Sequence, residues 1–446
     1  MTARITRQKP VAPLRLLVLL AGVLLLAVGC GPQGGARVAV TAPPAESTAP
    51  PATTAPAAAP VRIGPPRPAT VALLLPLSGG EADVGMALLQ AAELALFETG
   101  NDNIRLLPRD TGGTAESARA AARDVLAAGA EIILGPLFSE SVAAVAPLAR
   151  QAGVTMVALS TDRRVAGGGT FLMGFEPAQQ TRRIIDFAFA SGYRRFAGLI
   201  PDSAFGHAVE AVFEEDVVEL GGEVAAVEYF PTDTRALFEP VRRLGHYDER
   251  RQALLDERRS LEELGPDDSL ARERLDALSS LETMGAVDFD SVFIPEGGVM
   301  LRALAPLLPF YEIDPLKIRF LGTGLWDDPG LLLEPALIGA WYAGPQPDAK
   351  RAFSERYKAR LGDTPPRIAS LAYDAVLLVS ALVDEGRVDR FSARSLGRAE
   401  GFAGIDGIFR FPPGGMAERG LAVVEIGKRG FRVLSPAPLT FRPIVN

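Results

Sequence analysis

The chain has 446 residues, a formal net charge of −8, and a composition that is 48% hydrophobic and 22% charged. That length holds two or three domains, and the acidic balance excludes a general nucleic-acid binder and a basic surface for anionic lipid. One cysteine and two histidines exclude an internal disulfide and a Cys/His zinc site, and no motif calls for a cofactor.

In chain order, the N-terminus carries Arg4, Arg7, Lys9 and Arg15, then an apolar core from about Leu16 to Val28. That core is too short for a comfortable membrane span and fits a secretory signal over residues 1–29. It ends in Ala27-Val28-Gly29-Cys30, which resembles the lipobox of bacterial lipoproteins, with Ala27 where leucine is usual. The resemblance implies cleavage before Cys30 and a lipid anchor on its thiol. An ordinary signal peptide beside a chance cysteine is the alternative. Cleavage removes four basic residues and moves the net charge to about −12. Gly31-Pro32 lacks the aspartate that retains such proteins in the inner membrane, so the resemblance favours the outer membrane, facing the periplasm. Residues 30–68 are rich in proline and alanine and form a tether, extended and partly polyproline II. At roughly 3.1 Å per residue such a lead reaches on the order of 100 Å.

From Thr70 short apolar runs alternate with helical stretches. "TVALLLPLSG" reads as a buried strand, Val84 to Phe97 as a helix, "NIRLLPRD" as a strand and Ala115 to Ala128 as a helix. "EIILG", a helix from about Ser139 to Ala152, and "VTMVALS" continue the series. The pattern restarts with "RFAGLIP", a helix near Gly206, "VAAVEYF", "FDSVFIP" and "IRFLGTG". Two such βαβ series predict two doubly wound α/β lobes with parallel sheets, and a ligand cleft at the strand C-terminal ends. The end, "GIDGIFRF", "LAVVEIG" and "GFRVL", reads as antiparallel. Ala166 to Thr170, "AGGGT", reads as a flexible loop near the crossover between lobes. Residues 246–288 break the alternation: Leu254, Leu255, Leu261 and Leu264 suit one helix face, "GPDD" breaks it, and Leu270, Leu275, Leu278 and Leu281 suit a second. This charged hairpin is either a solvated insertion or a partner-docking surface.

The marks "VALLLPLSG", Asp110, "GAEIILGPLFS", "PDSAFG" and "LAYDAVLLVSAL" together resemble the type I periplasmic-binding-protein fold, the leucine-binding family, over nearly all of Thr70 to Asn446. The resemblance implies two Rossmann-like lobes joined by crossover strands, with lobe 1 at about 69–178 and 337–400 and lobe 2 at about 179–336 and 401–446. Within it, the lipobox, the arginine-rich insertion, "FDSVFIPEGGVMLRALAPLLPFY", "FLGTGLWDDP", "GAWYAGPQP" and "GFAGIDGIFRF" resemble the penicillin-binding-protein activator lipoproteins. Those proteins stimulate a bifunctional peptidoglycan synthase by contact, without catalysis. Here the tether stands in place of the helical-repeat domain that such proteins carry. The alternative the family implies is the substrate-binding lipoprotein of an amino-acid ABC uptake system.

Strand, Gly135-Pro136 and serines at a helix start make a place to hold an anion. In amino-acid-binding relatives hydroxyls and backbone N–H groups hold the ligand carboxylate, and an acidic residue of the other lobe meets the ammonium. Carried over, Ser139 and Ser141 are the carboxylate donors, and Ser160 and Thr161 form the second loop, which continues into Asp162-Arg163-Arg164. Phe205 stands where a tyrosine is common, and Glu296 or Asp327 supplies the acid. Glu140 in the first helical turn already satisfies the helix dipole, by roughly 0.3–1 kcal/mol, and opposes a second carboxylate. An amino-acid site, a site for another small ligand and a vestigial cleft stay open; these residues favour the last. Enzyme readings lack support: there is no Ser-x-x-Lys in the mature chain, no G-x-S-x-G elbow, no H-E-x-x-H and no P-loop. His207 and His246 have no nucleophile motif beside them and read as structural or solvent-facing.

Overall fold

The computed structural model describes Gly64 and residues 67–441. The signal peptide, Cys30 and most of the tether lie outside the described residues. Lobe 1 is built on β1 (Ala69–Leu75), β2 (Ile104–Asp110), β3 (Ile132–Leu134), β4 (Thr155–Ala158) and β5 (Thr170–Leu172). All pairings are parallel, in the order β2-β1-β3-β4-β5. The uninterrupted apolar run of β1 follows from burial on both faces. Ala69, Val71, Leu73 and Leu75 pack beneath the helices Ala82–Thr99 and Ala369–Asp384. Ala72 and Leu74, on the opposite face, meet the helices Ala115–Ala127 and Ser139–Gln151. Each fully buried leucine here contributes about 1.5–3 kcal/mol.

Lobe 2 repeats the plan with β6 (Arg195–Pro201), β7 (Glu223–Phe230), β8 (Ser291–Phe293), β9 (Arg319–Gly322) and β10 (Trp341–Gly344), all parallel. Phe196 and Ile200 of β6 face one core, and Ala197 and Leu199 the other. Both lobes place a glycine in the first turn of the helix that follows the first strand. A Cβ on Gly85 would lie 1.9 Å from the Pro76 carbonyl oxygen, and one on Gly206 1.9 Å from that of Pro201. Close helix–strand packing at each cleft rim therefore requires glycine.

The last strands are antiparallel. β11 (Phe402–Gly404), β12 (Gly407–Arg410) and β13 (Glu418–Arg419) form a small sheet, and β14 (Ala422–Gly427) and β15 (Gly430–Ser435) extend lobe 2. The lobe boundaries differ from the expected ones in two places. Residues 337–344 belong to lobe 2, because β10 pairs with β9 and β14, so the chain returns to lobe 1 only after Gly344. Phe402, Phe409 and Phe411 join the lobe 1 core, and Phe411 lies 5.1 Å from Phe171, so the final crossing comes after β13 rather than near residue 400.

The glycine run is a loop, as the sequence suggests, and only its last residue, Thr170, enters a strand. Gly167, Gly168 and Gly169 all take positive φ, Gly167 and Thr170 exchange backbone bonds of 2.9 and 3.1 Å, and the turn leads straight into β5. Three glycines hid a short edge strand whose own signal is only Thr170-Phe171-Leu172. The region 246–288 holds the helices Tyr247–Glu263 and Ser269–Leu278. Gly265 turns at φ +86°, and Asp268 caps the second helix by accepting from the N–H groups of Leu270 and Ala271. Leu254, Ala271 and Leu278 are buried between them, whereas Leu255, Leu264, Leu270 and Leu281 are exposed.

Candidate functional site

Two loops of lobe 1 meet where the clamp was expected. After β3, Gly135 turns the chain at φ +88°, with its Cβ position only 2.2 Å from the Leu74 carbonyl oxygen, and the helix begins at Ser139. Ser141 is buried and its hydroxyl has no hydrogen-bond partner. Glu140 points its residue surface to solvent. After β4, the Ser160 Oγ accepts from the Asp162 N–H at 3.2 Å, and Thr161 is exposed.

A carboxylate of the protein itself stands at the first loop, and it is Asp162 rather than Glu140. Arg164 donates to it through Nε at 2.9 Å and Nη2 at 2.8 Å, and its backbone N–H adds a third bond at 3.1 Å. Arg164, first, and the Ser139 hydroxyl, last, are among the groups holding the Asp162 carboxyl below its usual range. Arg163 turns the other way and pairs with buried Glu176 at the lobe crossing, where Gln179 also donates to Glu176 at 2.6 Å. Thr161, Arg163, Glu176, Arg182, Phe205 and Val209 line a cavity of about 290 Å³ between the lobes. Phe205 is half-exposed on the helix Ala204–Glu219, whose N-terminus Ser203 caps.

The two candidate acids of lobe 2 are already engaged. Glu296 accepts from the Gly297 N–H at 2.8 Å, and its carbonyl accepts from the Trp326 indole at 2.8 Å, so it is a turn residue. The Asp327 side chain is 5% exposed. Lys350 donates to its Oδ2 at 2.8 Å and to its carbonyl at 2.9 Å, and the Tyr342 hydroxyl donates to Oδ1 at 3.5 Å. Arg367 lies 3.8 Å away. Lys350 belongs to the helix Pro347–Leu361, whose Phe353 and Tyr357 sit in the lobe 1 core. Asp327 therefore ties lobe 2 to lobe 1.

Sequence reasoning missed a buried charged cluster behind the crossing strands. Asp374, in the apolar helix Ala369–Asp384, accepts from the Ile405 N–H at 2.6 Å and lies 3.7 Å from Arg419. Asp406 accepts from Ser370 Oγ at 2.6 Å and pairs with Arg367 at 2.9 Å. Burial, then the neighbouring Asp406 carboxylate, push the Asp374 carboxyl well above the usual carboxylate range, while Arg419 opposes them. Gly404 is required beside it, since a Cβ there would lie 2.5 Å from the Asp374 carboxyl. The signal was present in the sequence: one carboxylate in the middle of the mostly apolar run "LAYDAVLLVSAL".

The family model for periplasmic binding proteins matches residues 68–245. A branched-chain amino acid ABC transporter periplasmic ligand-binding protein from Burkholderia xenovorans LB400 superposes with a TM-score of 0.60 at 17% identity, over 84% of this chain and 96% of that one. A solute binding protein of an ABC transporter from Rhodopseudomonas palustris BisB5, in complex with 3,4-dihydroxybenzoic acid, gives 0.54 at 19% identity, over 84% and 98%. An ABC transporter substrate-binding protein from Desulfitobacterium hafniense, in complex with Leu, gives 0.55 at 16%, over 82% and 100%. An uncharacterized protein of Rickettsia prowazekii (strain Madrid E) is 23% identical over 176 residues, 40% of this chain. The chain spans about half, 47%, of that relative's length. The fold is thus that of the type I periplasmic binding proteins, and the family model and solved structures support that family. Among the described residues no helix is long and apolar enough to cross a membrane.

Proposed function

We propose that this chain is a lipid-anchored, non-catalytic envelope protein that acts by protein–protein contact, as an activator of a bifunctional peptidoglycan synthase from the outer membrane. The observation that carries the reading is the pairing of Asp327 with Lys350 across the lobes. The residue best placed to meet a ligand ammonium already has a cation, and both groups are largely shielded from water. The Asp162–Arg164 pair is a weaker barrier, because Arg164 is 88% exposed and solvent screens such pairs. An arriving carboxylate meets one that already stands near Ser139 with Arg164 as its counter-charge.

A second reading is a solute-binding protein for uptake, and the cavity between Arg163 and Phe205 favours it. A guanidinium and an aromatic ring suit a small carboxylate, and the relatives' ligands, Leu and 3,4-dihydroxybenzoic acid, are carboxylates. The two readings separate in a thermal-shift panel on Thr70 to Asn446 with L- and D-amino acids, benzoates and peptidoglycan fragments. A ligand at about 100 times its dissociation constant adds roughly 2.7 kcal/mol of stability. The activator reading expects a flat panel and a faster purified synthase when the chain is added. A saturable shift that Arg163→Ala abolishes, with no effect on the synthase, overturns it in favour of uptake.

A further inference from the structure

The helical hairpin is firmly held at its base and free at its tip. Arg250 donates to Thr283 Oγ1 at 2.8 Å and to the Gly285 and Gly245 carbonyls at 3.0 and 3.2 Å, and lies 3.5 Å from Glu312. Tyr247 packs edge-on against Tyr311 at 5.2 Å. Toward the turn, Leu264 and Leu270 are 61% and 76% exposed. Glu262, Glu263, Asp267 and Glu273 surround them, all exposed and, among the described residues, without an ion pair or side-chain hydrogen bond. Arg272 adds one unpaired cation in the same stretch. Residues 246–288 carry twelve carboxylates against six arginines.

We propose that the hairpin tip, from Glu262 to Glu273, is a docking surface for a basic amphipathic segment of a partner protein. Leu264 and Leu270 take its apolar side, and the ring of unpaired carboxylates takes its lysines or arginines. Charge decides the partner's chemistry, since an acidic or neutral apolar segment would leave four carboxylates desolvated without a counter-charge. The assignment rests on the partner-contact reading above and names the surface and the chemistry that such contact uses.

The test titrates the full chain into a labelled Lys/Leu amphipathic peptide, its Glu/Leu counterpart of the same pattern, and a shuffled Lys/Leu peptide. The Lys/Leu peptide alone binds, more weakly as salt rises. Leu264→Ser with Leu270→Ser weakens it about tenfold or more, whereas Leu316→Ser with Leu333→Ser, at 91% and 83% even more exposed and outside the hairpin, leaves it unchanged. Glu262→Lys with Glu263→Lys transfers preference to the Glu/Leu peptide. Unchanged binding in the hairpin variants, equal loss in the control pair, or equal binding of all three peptides overturns the proposal. So does a dimer in sedimentation that the serine pair dissolves, because the occupant is then a second copy. A ligand shift in the cleft panel with normal peptide binding overturns the activator reading alone.

Discussion

Replacing Lys350 by methionine tests the clasp between the lobes. At 2.8 Å and an effective dielectric of about 20, the gross attraction between Lys350 and Asp327 is roughly 6 kcal/mol. Desolvation of both groups removes most of this, leaving a net coupling of about 1–2 kcal/mol. The single substitution costs more than the coupling, because Asp327 then keeps its charge at 5% exposure with only the Tyr342 hydroxyl at 3.5 Å and Arg367 at 3.8 Å. The expected loss is about 2–3 kcal/mol of unfolding free energy, measured by urea denaturation of Lys350→Met, Asp327→Asn and the double variant. The double variant should recover part of the loss, giving the coupling directly. A coupling below about 1 kcal/mol, the range of an exposed pair, would refute the argument that this contact closes the acid to a ligand. If the argument holds, Lys350→Met also frees Asp327, and a free amino acid should stabilise the variant more than the parent.

Three further expectations follow from the same geometry. Gly206→Ala should lose about 1–3 kcal/mol, although alanine favours a helix by about 1 kcal/mol, because the new methyl meets the Pro201 carbonyl at 1.9 Å; a thermal melt at or above the parent's would contradict it. Burial, with Arg182 opposing, pushes Asp216 up to about 6, so the folded state holds a proton that the unfolded state releases from near 3.8. That stability is fully present below about pH 4 and is lost as pH rises through 6, and Asp216→Asn should flatten this part of the curve. Burial raises Asp374 in the same direction, so it adds a loss of the same sign as pH rises. Arg164→Ala should leave stability nearly unchanged, because its pair with Asp162 is exposed and screened by solvent, and a clear loss in chemical denaturation would show that the loop depends on it.

Elements whose cause is local were legible in the sequence, and those whose cause is a tertiary partner were not. The buried run of β1, the helix break at Gly265-Pro266 and the antiparallel end of the chain are each written in consecutive residues. β5 is three residues long and becomes a strand only because Met156 to Ala158 lie beside it and Leu172 bonds to Gly415 on its other edge. The placement of β10 in lobe 2 depends on β14, some eighty residues later, which no local pattern encodes.

The candidate site shows the same division more sharply. The residues suggest a carboxylate, Glu140, beside Ser139, whereas the structure brings Asp162 to that hydroxyl. Glu140 is adjacent to Ser139 in sequence, yet in the first turn of a helix its side chain leaves for solvent. Asp162 is twenty-odd positions away and arrives because parallel β3 and β4 deliver both loops to one edge of the sheet. Arg164 then fixes it there through two guanidinium bonds. If occupation of the clamp were incidental, removing the carboxylate would leave ligand binding unchanged. Asp162→Ala with Arg164→Ala should instead restore carboxylate affinity to the loop, by removing the carboxylate that stands beside the Ser139 hydroxyl. Isothermal titration with leucine and benzoate reads this directly. A silent double variant would place the block elsewhere, at Asp327 and Lys350, where the pair is more deeply buried and harder for a ligand to displace.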